Sequence, residues 1–149
     1  MKKYILLDNI RSMQNVGAIF RNCDGSGFEK IFLTGCTPTP VRNEISKTAL
    51  GSENTVDWEY YRDAREVIEV LQKQKFSIYS VELHERSIDY KALYKNTPKN
   101  ICLVLWNEVK WVAENLLDIS DEIVMIPMLW GKESLNVSVA AWIVMYATV

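Results

Sequence analysis

Short apolar runs alternating with helix-spaced segments constrain this chain more than any other feature. Residues 4–7, 31–34, 76–81, 101–105 and 123–126 are apolar stretches of four to six residues, mostly bounded by charge, Gly or Pro. Largely apolar runs of that length read as strands buried on both faces. Between them, residues 16–24, 62–73, 109–117 and 135–146 carry helical spacing. It is clearest where Ala64, Val67, Ile68, Val70 and Leu71 lie opposite Arg65, Glu66, Glu69 and Lys73. Strand–helix alternation predicts an α/β fold with a mainly parallel sheet and flanking helices. A chain of 149 residues suits one domain and falls short of two, so a single domain is expected over residues 1–149. Ligands in such sheets sit beyond the carboxyl ends of the strands. Here those ends are Asp8 and Asn9, Gly35, Trp106 to Glu108, and Pro127 and Met128.

Composition removes several function classes. Three widely spaced cysteines (Cys23, Cys36, Cys102) form no C-x-x-C pair, which argues against a disulfide framework or a zinc site. His84 is the single histidine, so a histidine metal cluster is excluded. The apolar run at residues 4–7 is too short for a signal peptide or a membrane span. The expectation is a soluble, cytoplasmic protein with no membrane and no metal. The formal net charge of −2 does not mark a nucleic-acid binder, but charge is unevenly placed. Residues 1–50 hold seven Lys/Arg against four Asp/Glu, and residues 101–149 hold two against six. A basic first third can present phosphate-binding side chains on an acidic whole, as can a solvated mixed surface. Asp24-Gly25-Ser26-Gly27 follows a helical pattern and not a strand, so a dinucleotide fingerprint is weak.

Residues 131–141 place Ser134 and Asn136 directly before the apolar segment 137–146. Ser134 is predicted as the N-cap of that helix, where free backbone N–H groups and the helix dipole suit either a plain cap or a polar ligand. Two other segments resolve the choice: 15–21 (Asn-Val-Gly-Ala-Ile-Phe-Arg) after the first strand, and 103–108 (Leu-Val-Leu-Trp-Asn-Glu). With Ile126-Pro127-Met128 leading into Ser134-Leu135-Asn136, they resemble the three motifs of the SpoU/TrmH family of RNA ribose 2′-O-methyltransferases, in the SPOUT superfamily. Residues 44–51 also look like the family, and the match runs from the first strand to the last helix.

The resemblance implies a deep C-terminal trefoil knot, S-adenosyl-L-methionine as cofactor, an RNA substrate (tRNA or rRNA, tRNA slightly favoured) and a homodimer. The cofactor pocket is expected at Leu105, Trp106, Ile126, Met128 and Leu135. The catalytic set falls on Asn15, Arg21, Glu108, Ser134 and Asn136, and RNA contacts on Arg11, Arg21, Arg42 and Lys47. By the same resemblance the chain is expected to be a near-minimal catalytic unit, without the extra N-terminal RNA-binding domain of some members.

Methyl transfer to a ribose hydroxyl needs the 2′-oxygen in line with the methyl carbon, its proton removed and the neighbouring phosphate held. Positioning alone supplies on the order of 7–11 kcal/mol in favourable cases. Arg21 suits a bidentate phosphate clamp; a guanidinium is a poor proton acceptor near neutral pH, so the base is left open. Asn136 and Ser134 suit positioning of the ribose or the cofactor carboxylate. Glu108 suits acceptance from backbone or substrate, or simply a helix-start carboxylate.

One departure from the family is systematic. At Trp106, Trp111, Trp130 and Trp142 the family pattern has glycine. The chain holds five Trp and only six Gly, where average usage gives about 7% Gly. Glycine permits close backbone approach to a ligand. The pattern is that of a gene using UGA for glycine, read as tryptophan. With genuine indoles at Trp106 and Trp130, the alternative is a catalytically inactive RNA- or nucleotide-binding module with a blocked cofactor pocket.

Overall fold

Seven parallel strands form one sheet in the order β3-β2-β1-β6-β4-β7-β5 in the computed structural model, which describes residues 1–107 and 114–149. The strands are β1 (Lys2–Asp8), β2 (Lys30–Thr34), β3 (Asp57–Tyr61), β4 (Ser77–Val81), β5 (Ile88–Asp89), β6 (Asn100–Trp106) and β7 (Glu122–Met125). The helices are α1 (Met13–Ser26), α2 (Asn43–Ala49), α3 (Ala64–Lys73), α4 (Glu114–Asp118) and α5 (Val137–Tyr146). The predicted α/β class with a parallel sheet and flanking helices holds. Glu108, Trp111 and the start of the helix predicted at 109–117 lie outside the described residues.

The sheet separates two apolar layers. On β6, Ile101, Leu103 and Leu105 face one layer, while Cys102, Val104 and Trp106 face the other. This is the period-2 alternation of a strand buried on both faces. The first layer is closed by α1, α2 and α5 through Val16, Ile19, Phe20, Ile45, Ala141 and Val144. The second is closed by α3 and α4 through Val67, Ile68, Leu71 and Leu117.

Local chemistry sets the helix ends. Ser12 Oγ accepts from the Asn15 N–H at 3.2 Å to start α1, and Gly27 ends it with a left-handed φ of 75°. Asp63 starts α3 by accepting from the Arg65 N–H at 2.9 Å. The prediction that Ser134 caps the last helix is corrected. The helix begins at Val137 and its N-cap is Asn136, whose Oδ1 accepts from the Ser138 N–H at 2.9 Å and the Ser138 hydroxyl at 2.7 Å. An amide oxygen caps as well as a hydroxyl, and Asn136 is the residue next to the first helical turn.

Gly17 is where α1 and α2 meet. A Cβ there would overlap the Ile45 carbonyl and Thr48 Oγ1, and Thr48 Oγ1 donates to the Gln14 carbonyl at 2.9 Å. Two segments singled out in the sequence, 15–21 and 44–51, are thus packed backbone to backbone. β3 and α2 were missed. Asp57-Trp58-Glu59-Tyr60-Tyr61 is a charged edge strand without clean alternation, and α2 buries only Ile45 and Ala49.

Candidate active site

A cavity of about 630 Å³ opens at the carboxyl ends of β4, β6 and β7, within the roughly 300–1,000 Å³ usual for small-molecule sites. Parallel register brings these ends together: Ser80 lies opposite Val104 on β6, and Val81 opposite Val124 on β7. Leu105, Ile126, Met128, Leu135, Val137 and Ala140 give the cavity apolar walls, and Glu82, Asn107, Glu133 and Ser134 add polar groups. The start of α5 borders it, adding the positive end of a helix dipole.

All five residues expected to bind cofactor, Leu105, Trp106, Ile126, Met128 and Leu135, line this cavity, as does Ser134. Asn136 adjoins it as the helix cap but is not among the lining residues. Asn15 and Arg21 do not line it either. They sit on α1, whose Asn22 donates through Nδ2 to the Ser138 carbonyl at 3.0 Å. Arg21, Arg11, Arg42 and Lys47 are exposed, and none of them has an ion pair among the described residues.

The sequence reading missed Val81, Glu82 and Leu83, which form the β4 wall. The signal was present: residues 76–81 read as a strand, and the carboxyl-end rule applied to it points at Glu82. Burial pushes the Glu82 carboxyl above the ordinary carboxylate range, offset in part by the Leu83 N–H and the charge of nearby His84. Asp8, at the end of β1 beside Trp106 in register, is also pushed up by burial. The Thr34 hydroxyl donates to its Oδ1 at 2.8 Å and favours the carboxylate.

Trp106 is 7% exposed and its ring packs in the α3–α4 layer, leaving its Nε1–H buried without a partner among the described residues. Trp130 is 91% exposed. With these indoles in place the cavity is still open.

The sequence profile of the SpoU rRNA methylase family matches residues 2–146. The chain belongs to this family. A tRNA (guanosine(18)-2′-O)-methyltransferase of Thermus thermophilus is 32% identical over 146 residues, which span 95% of this chain and 71% of the relative. The Escherichia coli (strain K12) enzyme of the same name is 24% identical over 142 residues, 95% of this chain and 60% of its own length. Among solved structures, an AdoMet-bound rRNA methyltransferase from Sinorhizobium meliloti superposes with a TM-score of 0.90 at 25% identity, covering 99% of this chain and 55% of that one. The A. aeolicus TrmH/SpoU tRNA modifying enzyme gives 0.86 at 26% identity, covering 99% and 73%. The resemblance drawn from the three motifs is borne out across the family's fold.

Proposed function

We propose that the chain transfers the methyl group of S-adenosyl-L-methionine to a ribose 2′-hydroxyl of a structured RNA, with tRNA favoured over rRNA. The observation that carries this reading is the coincidence of two independent results. The motifs assign five residues to the cofactor, and those five wall the cavity of a family member. The chemistry of the walls fits the cofactor: apolar faces for the adenine and polar groups for its ribose and amino-acid ends. Leu105, Trp106, Ile126, Met128 and Leu135 hold the cofactor, which when bound supplies an electrophilic methyl group. Ser134 orients the polar end of the ligand at the start of α5. Arg21 clamps the RNA phosphate, with Arg11, Arg42 and Lys47 extending the basic surface. Support for tRNA comes from the relatives in Thermus thermophilus and Escherichia coli.

The working unit in this reading is a homodimer whose C-terminal segment is threaded as a trefoil knot. Two features support the dimer. α5 is apolar all round, and its outer face leaves Val139, Trp142 and Tyr146 45%, 57% and 40% exposed; a helix of that kind is normally covered on both sides. Arg21 also lies off the cavity of its own chain, so a second copy is what brings a guanidinium to each pocket.

Calorimetry with S-adenosyl-L-methionine, followed by transfer of labelled methyl to unmodified tRNA and rRNA and nucleoside mass spectrometry, tests the proposal. A 2′-O-methylated nucleoside in tRNA is expected. Absence of both cofactor binding and RNA methylation supports instead the inactive binding module with its pocket blocked at Trp106 and Trp130.

A further inference from the structure

Two carboxylates line the cavity, Glu133 on the exposed loop before α5 and Glu82 at the end of β4. Glu82 is the partly buried one. Its backbone N–H donates to the Val124 carbonyl at 3.0 Å, tying it to β7, and its Oε1 accepts from the Leu83 N–H at 2.9 Å. That leaves Oε2 without a hydrogen-bond donor among the described residues. The ion pairs among those residues are Lys30–Glu59, Arg65–Glu69 and Arg86–Asp118, so none reaches Glu82. The charge of His84 favours its ionised form, against the larger cost of burial. A half-buried carboxylate with one backbone donor and no paired cation is costly to keep ionised, and a cationic ligand removes that cost.

We propose that Glu82 reads the positive charge of the methyl donor, favouring a sulfonium ligand over the neutral thioether that remains after transfer. This rests on the proposed function, since it assigns a role within that same cavity. The chemistry supplies the discrimination. When the methyl group leaves, the sulfur keeps the bonding electron pair and loses its charge, while the ribose oxygen gains the methyl and gives up its proton. A carboxylate across the cavity attracts the ligand before transfer and has no charge to hold afterwards. Glu82 therefore selects the donor and aids exchange of the product, while taking no part in bond making. It acts as a specificity-determining residue and not as the general base.

Titration calorimetry of the full chain with S-adenosyl-L-methionine and with S-adenosylhomocysteine tests this. Glu82→Gln is expected to weaken donor binding about tenfold and product binding less than about twofold, the size of one partly screened charge contact. Glu82→Asp, which keeps the charge, is expected to retain part of the preference. Equal weakening of both ligands overturns the proposal, because it makes Glu82 an acceptor for a group common to both; no change in either also overturns it. Should the glutamine variant misfold by circular dichroism, Glu82→Ala provides the same donor-to-product ratio. Wild-type chain that binds neither compound sinks the proposed function itself. Binding of both, with a ratio the substitutions leave unmoved, sinks only the role of Glu82.

Discussion

The carboxyl ends of β4, β6 and β7 and the α1–α2 pair are both built from segments that the motifs single out, yet only the first surrounds a cavity. The difference lies in what fixes each residue's neighbours. In a parallel sheet, register makes the ends of adjacent strands neighbours, so Val81, Leu105 and Ile126 converge within one chain. On α1, Val16, Ile19, Phe20 and Cys23 spend the apolar face on the core. Arg21 is then turned outward, into solvent in a single chain. In the proposed reading, the cofactor half of the site follows from the fold of one chain, and the substrate half needs something that fold alone does not supply.

Arg21→Ala separates the halves most sharply. Methyl transfer is expected to fall on the order of 10²–10³-fold, as for loss of one transition-state donor, with the calorimetric affinity for S-adenosyl-L-methionine within about twofold. A parallel loss of cofactor affinity breaks the comparison by placing Arg21 in the pocket after all. Unchanged transfer removes Arg21 from the mechanism.

The next largest effect concerns stability. A Cβ at Gly17 meets the Ile45 carbonyl and Thr48 Oγ1, one of them backbone that cannot rotate away. Gly17→Ala is expected to cost about 1–3 kcal/mol in urea unfolding, typical of overpacking. Adding Thr48→Ala recovers only part of it, because the carbonyl stays. A Gly17→Ala chain as stable as wild type shows that the α1–α2 approach is looser than the structure has it.

The strands buried on both faces were legible because length and apolarity alone mark them, and their carboxyl ends located most of the cavity. β3 was not legible: Asp57 and Glu59 break its pattern, and its stability comes from pairing with β2 and from the Lys30–Glu59 ion pair. The cap of α5 was misread by two residues because Ser134 and Asn136 are both good caps, and tertiary packing chose between them. Glu82 went unnoticed because one acid after a strand looks like ordinary solvent punctuation. Its significance comes from burial, which only the assembled β4–β7 edge produces.

Trp106 ends β6 at the cavity, with its ring in the α3–α4 layer, and carries the smallest expected effect. If glycine is the natural residue at Trp106, Trp111, Trp130 and Trp142, the four-fold Trp→Gly chain should bind S-adenosyl-L-methionine more tightly. The structure limits how much. The Trp106 ring packs in the layer opposite α5 and Trp130 points into solvent, so neither fills the cavity. What glycine at 106 removes is an indole N–H buried without a partner among the described residues, an arrangement that costs about 1–3 kcal/mol when nothing satisfies it. What it loses is the packing of that ring against its layer, about 3–5 kcal/mol of opposite sign for a large buried aromatic side chain. Both are stability terms; the gain in affinity comes only from closer backbone approach at the end of β6 and is expected to stay within about tenfold. Equal affinity in the two chains, or UGG codons at all four positions, ends the glycine reading and leaves Trp106 as a genuine wall of the pocket.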